Sequence, residues 1–306
     1  MSPVLTAALG AALNVALVLV AAPLCQGLSR KVTARLQSRR GPPLRQPLFD
    51  LLKLLGKEDL ESGESPVLQR FAALLSLASV LAVACLVPMG RAAPLGGAGD
   101  VLLLLYLLTL SGTSTLLAGA AAGSTYSLIG VSREMMSMVA LEPILAVALV
   151  TGAVRARSLR LEEALHGAVF ATGAPLSGLL VLAVTLLALQ ALVGRAPFDV
   201  AEAETELMEG PLVEYSGRKL ALFKYAQMAR LVVYAGIVVA LFAPWGRGLP
   251  FLLGLALFWA QVLALVLLVT VVAATHARFR VDQAMRWYAR LLAVALAAVA
   301  LASYGY

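Results

Sequence analysis

The stretch that decides the fold is "RAPFDVAEAETELMEGPLVEYSG", residues 195–217. It holds six carboxylates, Asp199, Glu202, Glu204, Glu206, Glu209 and Glu214, out of 17 acidic residues in the whole chain. It also sits between two long apolar runs, approximately 175–194 and 220–243. The surrounding chain of 306 residues is 61% hydrophobic and only 13% charged, with a net charge of +7 and a mean hydropathy of +0.89. A soluble domain carries about 25% charged residues. A helix needs roughly 20 apolar residues to cross a bilayer, and runs of that length recur along this chain. No period-two alternation marks them as barrel strands. The sequence therefore reads as an all-α, polytopic membrane protein.

Eight spans are expected, at approximately 3–25, 68–89, 100–121, 135–154, 175–194, 220–243, 249–273 and 286–304. Pro88, Gly90, Pro94, Gly173, Pro175, Pro244, Gly246 and Pro250 punctuate their ends. The first run lacks a basic leader and exceeds the roughly 7–15 apolar residues of a signal-peptide core. It reads as a retained span. With both termini outside, eighteen of the 24 basic residues fall on the inner side, from Arg30 to Arg290. Five fall outside, Arg91, Arg155, Arg157, Arg160 and Arg247, and Arg230 lies within a span. Basic residues collect on the cytoplasmic side, so the excess charge reports topology rather than nucleic-acid binding. A single integral domain, 1–306, is expected, with cytoplasmic docking loops near 26–67, 122–134, 195–219 and 274–285.

Residues 44–57, "LRQPLFDLLKLLGK", put Leu44, Leu48, Leu51, Leu52 and Leu55 on one helical face and Asp50, Lys53 and Lys57 on the other. Such a segment is too short to span. It is expected to lie as an amphipathic helix on the cytoplasmic membrane surface or under a docked partner.

In the acidic stretch, Pro197 bars a continuing helix. Asp199 and Glu202 have the spacing of an N-cap with its capping-box partner. A helix from about Val200 to Glu209 follows, ended by Gly210-Pro211. It would present Glu202, Glu206 and Glu209 on one face and Glu204 elsewhere. Like charges at that spacing destabilise a helix by a few tenths of a kcal/mol per pair, which a solvated face tolerates. The neighbours Phe198, Leu207, Met208, Leu212 and Tyr215 suggest packing instead. A further acid, Glu142, lies within the fourth span and precedes Pro143. An ionisable group there costs about 2.5–3.5 kcal/mol on insertion scales and marks a wet or functional interior. A carboxylate cluster beside an intramembrane carboxylate is the material of a proton path, with Arg230 as a counter-charge. Two cysteines, Cys25 and Cys85, and two histidines, His166 and His276, cannot build a four-cysteine iron–sulfur site. Any redox metal is expected in another subunit.

Three segments in order, "RLQSRRGPPLRQPLFDLLKLLGKED", "GVSREMMSMVALEP" and "RAPFDVAEAETELMEGPLVEYSGRKLALFKYA", resemble the membrane subunit 1 family of respiratory complex I. The Gly210-Pro211 and Arg218-Lys219 features are most similar to the related subunit of membrane-bound [NiFe] hydrogenases and formate hydrogenlyase. The resemblance implies an eight-helix subunit of the inner membrane that anchors an electron-transfer arm. It places a proton path at Glu142, Glu202, Glu204, Glu206 and Glu214, with Asp199 and Arg195 shaping the loop's start. It implies partner docking through Arg39, Arg40, Lys53, Arg133, Arg195, Glu209 and Arg218. No catalytic centre or cofactor is expected in this chain. The nickel–iron centre and iron–sulfur clusters would belong to partners: hydrogenase large and small subunits, a ferredoxin-like iron–sulfur subunit and an antiporter-like membrane subunit. The alternative within the family is the quinone-site subunit of NADH:quinone oxidoreductase. A stand-alone secondary transporter would show internal repeats, and the two halves of this chain show none.

Overall fold

The computed structural model describes residues 3–60, 65–170, 175–246 and 249–305, and of Pro3, Val4, Ala168, Glu204 and Thr205 the backbone only. Arg247, counted above on the outer side, lies outside the described residues. Eleven α-helices are described: α1 Pro3–Leu36, α2 Gln46–Leu55, α3 Pro66–Leu86, α4 Val101–Ala122, α5 Thr125–Ala156, α6 Leu161–Ala164, α7 Leu176–Leu192, α8 Glu204–Leu207, α9 Gly217–Phe242, α10 Phe251–Thr275 and α11 Val281–Ser303. Seven are long and apolar enough to cross a membrane, and α7 is a shorter apolar helix. The eight expected spans thus correspond to α1, α3, α4, α5, α7, α9, α10 and α11.

The helix ends differ from expectation in two places that matter for function. Helix α1 continues past residue 25 to Leu36, and α5 begins at Thr125 rather than 135. At 1.5 Å per residue these helices are about 50 Å long, well beyond a hydrocarbon core of about 30 Å. The expected loop at 122–134 therefore shrinks to Gly123 and Ser124. Hydropathy placed the boundary where charge begins. A helix carrying Arg133 and Glu134 runs on because its backbone bonds close within the helix whatever its side chains meet.

Helix α9 is the hub. It packs against α1, α2, α3, α7 and α10, and most of its residues are buried. Its run from Val232 to Ala240, small or β-branched at every position but Tyr234, lets neighbours approach closely. A second core forms where α5, α7 and α11 meet around Ile144, Val184, Phe198 and Tyr288. The amphipathic helix α2 lies against α9 through Leu51 and Pro47. Its expected apolar face is only partly used, since Leu44, Leu52 and Leu55 are exposed together with Phe49. Asp50 on its other face pairs with Arg30 of α1 at 2.6 Å. That hydrogen-bonded guanidinium holds the Asp50 carboxyl below the ordinary range.

Candidate functional site

The acidic stretch does not form the expected helix. After α7 the chain turns through residues 195–203, makes only the four-residue α8, and then a short 3-10 turn at Gly210–Leu212. Asp199 is not an N-cap. Its carboxylate takes two hydrogen bonds from Arg278, at 2.8 Å and 2.5 Å, in the loop between α10 and α11. A bidentate guanidinium is a stronger partner than a backbone N–H, so tertiary pairing displaces the local cap. Gly210 sits at φ +56° with its Cα facing the Ala201 carbonyl, so the chain doubles back there instead of continuing a helix.

The second half of the stretch is pinned onto α4 and α5. The Ser127 hydroxyl lies between the carbonyls of Gly119 and Pro211, at 2.9 and 3.0 Å, and its one proton serves either. Tyr215 Oη donates to Ala118 O at 2.8 Å and its ring meets Phe223 edge-on. Burial pushes the Tyr215 hydroxyl up, so it stays a donor. The first half is held by α7: Gln190 Nε2 donates to the carbonyls of Ala196 and Val269, tying the turn to α10.

These constraints bring one set of acids together and send the others away. A cavity of about 630 Å³ is lined by Glu134, Glu142, Asp199, Glu202 and Glu209, with Lys224, Gln227, Arg230 and Tyr234 opposite. Glu134, Ser137, Met138, Leu141 and Glu142 all face it from α5, at the i, i+3, i+4, i+7, i+8 positions of one stripe. Glu202 accepts a hydrogen bond from Gln227 Nε2 at 2.5 Å. Burial pushes its carboxyl up, against the pull of nearby Lys224, Arg230 and Arg195. Arg230 Nη2 donates to Ser111 Oγ of α4 at 2.9 Å, fixing a cation inside the bundle. Arg195, expected at the docking surface, lines the cavity and hydrogen-bonds Gln26 of α1. Its burial pulls the guanidinium's pKa down. Glu209, also expected at the docking surface, stands at the cavity's edge 3.6 Å from Lys224.

The remaining expected residues lie apart. Glu206 points outward to Arg133, which it pairs with at 2.6 Å. Glu214 is exposed and does not line the cavity. The Glu204 side chain lies outside the described residues. Arg39, Arg40, Lys53 and Arg218 are exposed on the end of the bundle that carries the loops. Lys219, next to Arg218, is instead buried between Gln69 and Asp59, at 3.3 and 3.5 Å. Glu134 escapes a reading by hydropathy because the apolar run of the fourth span begins one residue after it. An eight-residue separation from Glu142 was the available signal, since it returns nearly to the same helix face. Among the described residues no group of three or more His, Cys, Asp or Glu could hold a metal ion.

A bundle of apolar helices, seven of them long enough to cross a membrane, with a carboxylate-lined cavity beside the loop that follows α7, defines a polytopic membrane protein with an acidic interior site. Residues 9–303 match the NADH dehydrogenase family, and this chain belongs to it. It is 37% identical over 232 residues to hydrogenase-4 component C of Escherichia coli (strain K12), covering 76% of this chain and 74% of that one. It is 36% identical to formate hydrogenlyase subunit 4 of the same organism over 258 residues, 83% of each chain. It is 34% identical to NADH-ubiquinone oxidoreductase chain 1 of Paracentrotus lividus over 277 residues, covering 88% of this chain and 85% of that one. A solved archaeal structure, the membrane-bound sulfane sulfur reductase respiratory complex, contains a chain that superposes with a TM-score of 0.88 at 26% identity. That superposition covers 97% of this chain and 99% of the other. The protein is a multi-pass protein of the inner membrane, related to complex I subunit 1.

Proposed function

We propose that this chain is the membrane-anchoring, ion-translocating subunit of an energy-converting [NiFe] hydrogenase or formate hydrogenlyase complex. The observation that carries the proposal is the cavity lined both by Glu202 of the loop after α7 and by Glu134 and Glu142 of α5. Three carboxyls lining one cavity, two of them on a membrane helix, can hand a proton along. Asp199 belongs to the frame, because Arg278 holds it in place. The chain itself performs no redox step. The hydrogenase large and small subunits and a ferredoxin-like subunit would bring the nickel–iron centre and iron–sulfur clusters. They would dock over Lys53, Arg133 and Arg218, and an antiporter-like subunit would sit beside the chain in the bilayer. The 37% and 36% likenesses to hydrogenase-4 component C and formate hydrogenlyase subunit 4 support this branch.

The test is Glu142→Gln and Glu202→Gln in the intact complex, reconstituted in proteoliposomes. Hydrogen evolution and subunit composition are expected to persist while ion movement falls. Wild-type ion movement in both variants would overturn the proposal. A second reading, the quinone-site subunit of NADH:quinone oxidoreductase, is favoured by the likeness to NADH-ubiquinone oxidoreductase chain 1 and by the cavity volume, which suits a small molecule. Bound quinone in the purified complex would select it.

A further inference from the structure

Beside the carboxylate cavity, a second recess of about 480 Å³ opens between the same ends of α1 and α10. Four guanidinium side chains line it, Arg30, Arg39, Arg40 and Arg195, with the polar side chains of Thr33 and Gln37, and no carboxylate does. Arg30 is engaged by Asp50 and Arg195 by Gln26. Arg39 and Arg40 are exposed, and no ion pair holds either among the described residues. Asp50 compensates Arg30, and Glu202 and Asp199 lie near Arg195, which leaves Arg39 and Arg40 as the charges at this recess that an anion would join.

The recess is polar on one side only. Leu231 and Val269 form its inner wall. Adjacent to it, α1 and α10 turn apolar side chains outward: Leu24 is 39% exposed, Leu268 46% and Val271 40%. Helix α10 has the highest hydropathy of the membrane helices and packs on few neighbours. A basic polar recess standing directly on a bare apolar helix pair matches an amphiphile whose head is anionic and whose tail is hydrocarbon.

We propose that this recess binds the phosphate head of an anionic phospholipid, with its acyl chains lying along α1 and α10. The planar guanidinium fork offers paired donors to phosphate oxygens, and Thr33 and Gln37 can complete the shell. Free inorganic phosphate shares that head chemistry but leaves the apolar helix faces uncovered. A carboxylate-bearing segment of a docked soluble subunit would likewise satisfy the arginines without needing those faces. The recess adjoins the carboxylate cavity and shares Gln26, Arg30, Thr33, Arg195 and Ala273 with it, but none of the acids lines it, and the proposal stands whichever complex the chain serves.

Native mass spectrometry of the intact detergent-solubilised complex tests it, with dioleoylphosphatidylglycerol and dioleoylphosphatidylcholine titrated separately. The expected result is selective retention of the phosphatidylglycerol, unaffected by added inorganic phosphate. The Arg39→Gln/Arg40→Gln double variant is expected to hold that lipid roughly 30-fold more weakly, with every soluble subunit still attached. Equal retention of the two lipids overturns the proposal, and so does displacement of the lipid by inorganic phosphate. A double variant that sheds a soluble subunit while keeping the lipid overturns it in favour of protein docking. The wild-type comparison of the two lipids decides the matter even where the double variant does not assemble.

Discussion

Arg278 grips both oxygens of Asp199, Nε to Oδ1 at 2.8 Å and Nη2 to Oδ2 at 2.5 Å, across 79 residues of sequence. The clamp joins the turn after α7 to the turn before α11. Phe279 N donates to Pro197 O at 2.9 Å beside it, and the Phe198 and Phe279 rings meet edge-on at 5.2 Å. The loop that carries Glu202 is thereby fixed to two helices it does not directly continue. Asp199→Ala is expected to cost about 1.5–3 kcal/mol, the range for a hydrogen bond to a charged group, with partial exposure favouring the lower half. Arg278→Lys should recover only part of this, since an ammonium cannot make the paired contact. Thermal midpoints of the solubilised complex check both.

Glu134 faces the cavity from the α5 stripe that also carries Glu142. Glu134→Gln keeps its shape and removes its proton. On the proposed path it should lower coupled ion movement roughly tenfold to hundredfold, with hydrogen evolution retained. Paired flux and activity assays on the same proteoliposomes are the measurement. Unchanged coupling would confine the path to Glu142 and Glu202.

Burial raises the Glu202 carboxyl above its ordinary value of about 4.3. Between that value and the raised one, the folded protein holds a proton that the unfolded chain has released. Stability therefore falls as pH rises through this window. Glu202→Gln has no such proton. The wild-type thermal midpoint should drop relative to that of the variant as pH increases from about 4.3 upward. Parallel curves would show that Glu202 does not titrate this way.

Gly130 of α5 rests on the 3-10 turn of the acidic stretch. A Cβ there would stand 2.7 Å from the backbone nitrogen of Pro211. Backbone cannot swing aside as a flexible side-chain end can. Gly130→Ala is expected to destabilise the fold by about 1–3 kcal/mol, the usual cost of overpacking. The loop should become open to proteolysis near Gly210, which limited digestion followed by mass analysis would detect.

Much of the architecture was legible in the sequence because the bilayer imposes a length. A hydrocarbon slab must be crossed by about 20 apolar residues with every backbone group bonded internally, so eight apolar runs translate into eight helices. Glu142 stood out for the same reason, as a charge where charge is costly. The acidic stretch was legible as a feature but not as a shape. Its local signals, the Asp199–Glu202 spacing and the Gly210-Pro211 stop, predicted a capped helix with Glu202, Glu206 and Glu209 on one face. The structure sends those three to Gln227, Arg133 and Lys224 respectively.

Capping and like-charge spacing are worth about 1 kcal/mol or less. Arg278, Arg133 and the contacts with α4 and α5 together outweigh them. By itself, then, the sequence determined a membrane bundle with its acids concentrated at one end, because hydropathy acts residue by residue. Only the tertiary structure decided which acids share a cavity. That choice was made by partners 25 to 79 residues away, at Gln227, Arg133 and Arg278. The same packing put Glu134 and Glu202 on one cavity, and it gathered Arg30, Arg39, Arg40 and Arg195 around the recess that adjoins it.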